Sequence, residues 1–540
     1  MTISKNQKIF FLSGLILIYA FGIIIQSHSL LKCDDIGLLY LARAVLHGKI
    51  YGRDFFESNP PMAILLYMPE ILIEKILPVA HVLGLQIYIF LSATLLLFVC
   101  FIPIKKLFND AQTSFAIAFF LIIAFTYLIL PFHDFGQREH FFVMLTMPYV
   151  LLAACRLQNI TINLKCILLI GLLAGIGFSI KPFFFSTFFL IEGYLAYQLY
   201  KKDGYFVRPE TICVILVTLL YLLSIYIFFR SYIVIALPIL MRTYYQSLEH
   251  TKTFHQTWIT PTVALYFFNY FLYYITRKIN PFIILSNVLL LAMTGDFIAR
   301  CMQEPIAYHI LPAFLLSAIL FIFLLLIYFK CDNKWNSIKL VGIAVTLYVF
   351  TLNFVLSLNN ALIIKKVENP LIFFVHKIAF HQNIYFLSAD DASPISVISY
   401  AHGYLNYGFL FWLRRYADKT YLKNESPQHK QDVQYLTTML ARHINEDKPA
   451  LIFSDNTCVS IKNRVSPINC LHYLLSNIQF QSAWKHYHYI MTIESRRWYN
   501  IYERDDASFT APNTKPTCQL FKKANDAFHL HAACDSPLST

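Results

Sequence analysis

Stretches of about 20 apolar residues recur along the first two thirds of the chain, separated by short polar segments. Such a run is long enough for an α-helix to cross the hydrocarbon core of a bilayer. Eleven are read, at residues 8–28, 84–104, 113–131, 140–156, 165–180, 182–200, 210–230, 258–276, 280–298, 308–329 and 337–360. The runs at 140–156 and 165–180 are short, and 258–276 is rich in Tyr. No small-residue cleavage site follows the first run, so it is expected to remain as an anchor. The pattern changes between the first two runs. Over 36–47 the apolar residues fall at helical spacing, Gly48 ends the pattern, and a second amphipathic stretch at about 62–77 leads into the next run. Both are predicted as helices lying along the membrane interface.

After residue 361 the pattern changes again. Residues 361–540 hold no 18-residue apolar run and carry 19 Lys and Arg against 15 Asp and Glu. NIYFLSAD (383–390) and PALIFSD (449–455) read as short strands, and a helical pattern over 428–447 precedes the second. YHYIMTIE followed by RRWYNIYER reads as a closing hairpin. These elements predict a small α/β domain.

Composition agrees with a membrane protein. The 540 residues are 57% hydrophobic, 16% aromatic and 14% charged, with mean hydropathy +0.54. A soluble domain carries about 25% charged residues, which excludes an ordinary cytosolic enzyme. Intrinsic disorder and collagen-like order are excluded as well.

The distribution of charge sets the expected orientation. With the N-terminus inside and the runs alternating, the inner segments hold Lys5, Lys8, Lys105, Lys106, Arg156, Lys165, Lys201, Lys202, Arg208, Arg277, Lys278, Lys330, Lys334 and Lys339. These are 14 basic residues against the four acids Asp110, Asp203, Glu210 and Asp332, whereas the outer segments up to residue 360 hold 11 of each sign. Lys and Arg favour the cytoplasmic side. The expected protein is therefore a polytopic α-helical membrane protein with about 11 transmembrane helices (residues 1–360) and a C-terminal extracytoplasmic α/β domain (361–540). The expected location is the bacterial inner membrane, with the N-terminus in the cytoplasm and the C-terminal domain in the periplasm. The net charge of +13 reads as a topology signal and not as a nucleic-acid surface. In an oxidising compartment Cys458, Cys470, Cys518 and Cys534 could form one or two disulfides of undetermined pairing.

Acids at membrane depth are costly and usually serve a purpose where they cluster. Of the 16 acids before residue 361, 11 fall on the expected outer side. The first outer loop, 29–83, begins with Cys33-Asp34-Asp35 and continues through Asp54, Glu57 and the Asn59-Pro60-Pro61 corner. The second, within 132–140, reads His133-Asp134-Phe135-Gly136-Gln137-Arg138-Glu139-His140, with six of eight residues polar. The third, within 299–308, runs on into Tyr308-His309-Ile310-Leu311-Pro312 and contains Arg300, Gln303 and Glu304. Lys181 and Arg242 add cations at the same level. Taken singly, each of these charges is more often a solvated loop residue than a functional one. The adjacent pair Asp34-Asp35 is harder to read that way, because Lys or Trp normally occupies the exit of a span. No glycine-rich nucleotide turn, GxxxxGK[ST], HExxH, paired CxxC or nucleophile elbow is present, so no nucleotide cofactor and no conventional zinc site are expected.

Three of these features together resemble the C-type glycosyltransferase superfamily, and within it the branch of protein O-mannosyltransferases and lipid A aminoarabinose transferases. Asp34-Asp35 followed by Ala42-Arg43 and Gly48 is similar to the branch's acid pair, small-residue/Arg step and closing Gly. DFFESNPP (54–61) is similar to its Asp…Pro-Pro element. Tyr308-His309-Ile310-Leu311-Pro312 resembles its basic-Tyr-x-Leu-Pro type motif. The resemblance covers about residues 8–330. The chain departs from the branch at Asp35, where Glu is usual, and in a more basic FGQREH loop, which leaves metal use open.

The resemblance implies a transferase that moves a sugar from a polyprenyl-phosphate donor in the membrane lipid to a lipid, glycan or protein acceptor outside the cytoplasm. Asp34, Asp35 and Glu139 would then be the catalytic acids, with a general base among the first two. They are also the residues that would hold a divalent cation. Arg138, Lys181, Arg242, Arg300 and His309 would bind the donor phosphate. Asp54, Glu57 and Tyr308 would position substrate. A single displacement would invert the anomeric carbon. The alternatives are an envelope polysaccharide polymerase or ligase, and a polytopic transporter. The first would be expected to use a large late outer loop, and the second would usually show internal repeats and broken helices.

Overall fold

The structure, a computed structural model, describes residues 4–28, 32–77, 81–203, 207–242, 259–303, 307–331, 371–372, 374–375, 383–388, 427–455, 471, 474–494, 498–506 and 532–533. The chain divides into two compact units. The first comprises Met1–Ser29, Leu83–Ile227 and Thr251–Ala361; the second comprises Leu30–Val82, Phe228–His250 and Leu362–Thr540.

Ten of the eleven predicted runs are helices. In the first unit these are α1 (Lys5–His28), α5 (His81–Leu107), α6 (Thr113–Leu128), α7 (Arg138–Leu157), α8 (Leu164–Ser179), α9 (Phe185–Asp203), α10 (Pro209–Phe228), α12 (Ile259–Thr276), α13 (Ile283–Cys301) and α14 (Leu311–Cys331). The eleventh run, 337–360, lies outside the described residues, as do Glu304 and the four C-terminal cysteines. Seven of the helices are long and apolar enough to cross a membrane, and α8 is a shorter apolar helix of 16 residues. Their surfaces agree. On α10, Leu219, Leu220, Leu222, Leu223, Ile227 and Phe228 are all more than half exposed. A water-soluble protein does not present so continuous an apolar face, and lipid is the solvent that suits it. The chain is an integral membrane protein.

Helix α7 lies at the centre of this unit. Nineteen of its 20 residues are buried, and it packs on α8, α9, α13 and α14. Helix α13 reaches α9 closely at Gly295, where an added Cβ would stand 2.4 Å from Thr187 Cα. Only glycine allows that approach.

The second unit holds the first loop and the C-terminal elements. Helix α2 (Cys33–Leu46) begins three residues earlier than its apolar pattern, so the acid pair lies in its first turn. The second amphipathic stretch is two helices, α3 (Pro61–Leu65) and α4 (Met68–Ile76), interrupted at Leu66-Tyr67. The short helix α11 (Leu237–Leu240) also belongs here. The C-terminal part has α15 (Pro427–Asp447), α16 (Ile478–Trp484) and strands β1 (Ile384–Leu387), β2 (Leu451–Asp455), β3 (Tyr487–Glu494), β4 (Trp498–Arg504) and β5 (Ala532–Ala533). The sheet order is β1-β2-β4-β3-β5, with β1 and β2 parallel and the other pairs antiparallel. The predicted strands, helix and hairpin are therefore present in a mixed sheet. Its buried residues Ile384, Phe386, Leu451, Phe453, Tyr499 and Ile501 form one apolar core, against which Tyr40 of α2 packs.

Candidate active site

In the second unit, the acid pair opens α2. Acidic side chains are favoured in a first helical turn, at the positive end of the helix dipole. Asp35 is fully buried, and its Oδ1 accepts a hydrogen bond from the Tyr67 hydroxyl at 3.2 Å. Tyr67 reaches it because the chain breaks between α3 and α4. Asp34 is half-buried, which leaves it the more accessible carboxylate of the two. Farther along α2, Arg43 is hydrogen-bonded to Glu74 of α4 and stands 3.7 Å from buried Glu70. Burial and the neighbouring Glu74 push the Glu70 carboxyl up to about 8, against the opposing pull of Arg43.

Two other acids of this loop shape the chain. Burial raises the Asp54 carboxyl, but hydrogen bonds from Arg53 and the Ile50 N–H outweigh it and hold the group below its usual range. Asp54 also pairs with Arg442 of α15 at 3.1 Å. The Tyr435 hydroxyl donates to the Gly52 carbonyl at 2.7 Å, so α15 clasps the turn at two points. Glu57 closes its own turn: its Oε1 accepts from Ser58 N–H at 2.7 Å and from Asn59 N–H at 2.9 Å. Asp54 and Glu57, expected to position substrate, therefore both take part in building the loop. Arg242 has a partner in the same unit. Its guanidinium makes a bidentate pair with Asp432 of α15 at 2.7 and 2.8 Å. Bidentate pairing of this kind fixes the guanidinium in orientation as well as in position.

In the first unit, a second charged cluster gathers at the N-terminal end of α7. The approach to the helix is a tight turn, with Gly136 at φ +95° and the Gly136 N–H donating to His140 Nδ1 at 3.1 Å. Arg138, Glu139 and His140 then form the first helical turn. All three are buried (2%, 0% and 0% exposed), although the sequence alone suggests a wet loop. Lys181, in the extended link after α8, donates to Glu139 Oε1 and stands 3.4 Å from Gln303 Oε1. His309 Nε2 lies 3.9 Å from the same Glu139 oxygen. The Arg138 guanidinium and the Lys181 ammonium each stand 5.7 Å from the centre of the Tyr308 ring, and Arg138 Nη2 is 3.4 Å from its hydroxyl. Arg300, in the last turn of α13, donates to the Gln303 carbonyl at 3.3 Å.

The structure thus brings together Arg138, Glu139, Lys181, Arg300, Tyr308 and His309, which come from three separate parts of the sequence. Tyr308 supplies an aromatic face between two cations, an arrangement that stabilises charge out of water. Gln303 joins Lys181 to the end of α13, and Tyr67 holds Asp35. Sequence reasoning gave neither residue a role. The only signal was that each is a hydrogen-bonding residue in or beside a segment already dense in polar groups. Among the described residues no three His, Cys, Asp or Glu side chains converge as a metal-binding group.

No protein-family model matches the chain, and no curated protein sequence matches it. Among solved structures, the chain is similar to the apo crystal structure of the Archaeoglobus fulgidus oligosaccharyltransferase. The TM-score is 0.45 at 12% sequence identity, covering 94% of this chain and 76% of that one. A likeness at this level carries no argument about activity or individual residues.

Proposed function

We propose that this protein is a membrane glycosyltransferase of the C-type superfamily that uses a polyprenyl-phosphate-linked sugar as donor. The observation that carries the proposal is the buried group of Arg138, Lys181 and His309 gathered about Glu139 in an integral membrane protein, with Arg300 joined to it through Gln303. A lipid-borne monophosphate is an anion delivered at the membrane, and charge-assisted hydrogen bonds are how proteins hold one. In this reading Glu139 keeps the cations together, and Tyr308 carries their apolar side.

The reaction is one displacement. The acceptor hydroxyl attacks the anomeric carbon and its proton passes to Asp34. The bond from that carbon to the phosphate oxygen breaks, and polyprenyl phosphate leaves with the electron pair. The configuration inverts. Asp35, fixed by Tyr67, is a positioning residue for its neighbour. Charge grows on the leaving phosphate as the bond breaks, so donors that meet it there accelerate the step as well as bind the donor. The proposed orientation places the N-terminus in the cytoplasm and this chemistry on the other face, following the 14-to-4 excess of basic residues in the inner segments.

The test is release of polyprenyl phosphate from synthetic polyprenyl-phosphate sugars by the purified protein in lipid nanodiscs. Asp34→Asn should lower the rate about 100- to 10,000-fold, the usual contribution of a general base, with thermal stability unchanged. Asp35→Asn should have the smaller effect. If both variants keep more than half of the wild-type rate, the assignment of the base is wrong.

A further inference from the structure

Gln137 precedes the first turn of α7 and is 0% exposed. Its backbone is fixed at both ends: its N–H donates to the Asp134 carbonyl at 3.1 Å, and its own carbonyl accepts from the Phe141 N–H at 3.0 Å. Its side chain is different. Both amide atoms, Nε2 and Oε1, are buried with no hydrogen-bond partner among the described residues. Nor does the side chain cap the helix it introduces, although it stands at the capping position. Ser, Thr, Asp or Asn at that position would satisfy a free N–H and contribute on the order of 1 kcal/mol, and an apolar residue would avoid burying an amide. A buried amide that makes neither contribution is costly to the fold, and such groups call for an explanation.

The neighbours narrow the explanation. Gln137 adjoins Arg138 and Glu139 in the chain, and Glu139 Oε2 is also buried without a hydrogen-bond partner among the described residues. The amide offers one strong donor and one strong acceptor on a short planar group. A phosphate oxygen would meet the donor but be repelled by the acceptor. An ammonium group would do the reverse. A hydroxyl donates and accepts at once and satisfies both.

We propose that Gln137 binds a hydroxyl of the transferred group, so that the donor carries a neutral sugar hydroxyl beside its phosphate. This makes Gln137 a specificity-determining residue. The inference rests on the phosphate-site reading and adds the chemistry of the sugar to it. A site built to hydrogen-bond a substrate hydroxyl rejects the analogue lacking it, because its own polar groups are then left buried and unpaired.

The experiment compares two probes, neryl phosphate and neryl-phosphate mannose, binding to wild type and to Gln137→Met in nanodiscs. Met keeps the length of the side chain and removes the amide. Wild type should bind neryl-phosphate mannose about 10-fold more tightly than neryl phosphate, and Gln137→Met should lose that difference while keeping its affinity for neryl phosphate. The variant should melt at or above the wild-type temperature, since it no longer buries an unpaired amide. An unchanged preference for the sugar-bearing probe in Gln137→Met would overturn the inference and leave the phosphate site standing. So would an equal loss for both probes, or a melting temperature that falls, which would mark Gln137 as a structural residue bonded through water. Failure of wild type to bind either probe would instead overturn the phosphate-site reading, and this inference with it.

Discussion

The two ends of α7 carry two buried charged clusters with different logic. At the C-terminal end, Arg156 makes a bidentate pair with Glu210 of α10 at 2.9 and 2.7 Å. Glu192 of α9 accepts from Tyr149, Arg208 and Thr211. Every oxygen of those two carboxylates has a partner, and two acids balance two arginines. At the N-terminal end, the described cations Arg138 and Lys181 and the imidazole of His309 face the single carboxylate of Glu139, one oxygen of which has no hydrogen bond. The adjacent Gln137 amide has none either. A cluster that satisfies its own acids acts as structure, here tying α7, α9 and α10 together. The ends differ in which atoms go unmet among the described residues: an acid oxygen and the Gln137 amide at the N-terminal end, but only the Arg208 Nε and Nη1 of the C-terminal cluster. Glu192, which lies inside the predicted span 182–200, belongs to the first kind, despite the general expectation that such residues are functional.

The largest expected effect breaks the satisfied end. Glu210→Ala leaves Arg156 and Arg208 without their shared acid, and removing one partner of a buried pair costs about 3–5 kcal/mol. Its melting temperature in detergent should fall sharply, while donor affinity per folded molecule should stay the same. A loss of donor affinity at unchanged stability would reverse the roles assigned to the two ends.

The unsatisfied end should give the complementary result. Charge-assisted hydrogen bonds are each worth roughly 1.5–3 kcal/mol, so Arg138→Ala and His309→Ala should each lower donor affinity about 10- to 100-fold. Turnover at saturating donor should fall too, because the phosphate gains charge in the transition state. A drop in melting temperature with normal kinetics would make this end structural as well.

The smallest effect concerns pH and belongs to the second unit. Glu70 titrates near 8 in the folded state, against an ordinary carboxylate value of about 4.5 when unfolded. A group whose folded value is raised stabilises the protein fully below the unfolded value, and that contribution is lost as pH rises through the folded one. Stability should therefore decline between about pH 5 and pH 8, and Glu70→Gln should flatten the decline. An unchanged slope in thermal melts across that range would show that Arg43 keeps Glu70 ionised throughout.

The sequence made the helices legible because lipid imposes a length and a polarity that can be counted. It also exposed β1 to β4 and α15, since each has a clear period. What it hid were the pairings. Lys181 meets Glu139 across 42 residues, and no local pattern encodes that partner. The break at Leu66-Tyr67 looks like continuous amphipathic helix, yet it is what brings Tyr67 to Asp35. Asp54 and Glu57 look like substrate contacts because they are acids beside a Pro-Pro corner. Both Asp54 oxygens and Glu57 Oε1 also accept hydrogen bonds, from Ile50, Arg53, Ser58, Asn59 and Arg442, all but the last within five residues. The change of composition near residue 361 likewise gives no hint that residues 30–82 belong with the C-terminal elements, which Tyr40 reveals by packing on the core of the sheet.

The central claim is that the N-terminal end of α7 holds a phosphate, and binding of a short polyprenyl monophosphate tests it most directly. Farnesyl phosphate would be titrated into the purified protein and into Lys181→Met, with Arg156→Met as the matched change at the other end of the helix. The account predicts saturable binding to wild type, weakened at least 10-fold in Lys181→Met and unchanged in the folded fraction of Arg156→Met. Equal affinity in wild type and Lys181→Met would contradict it.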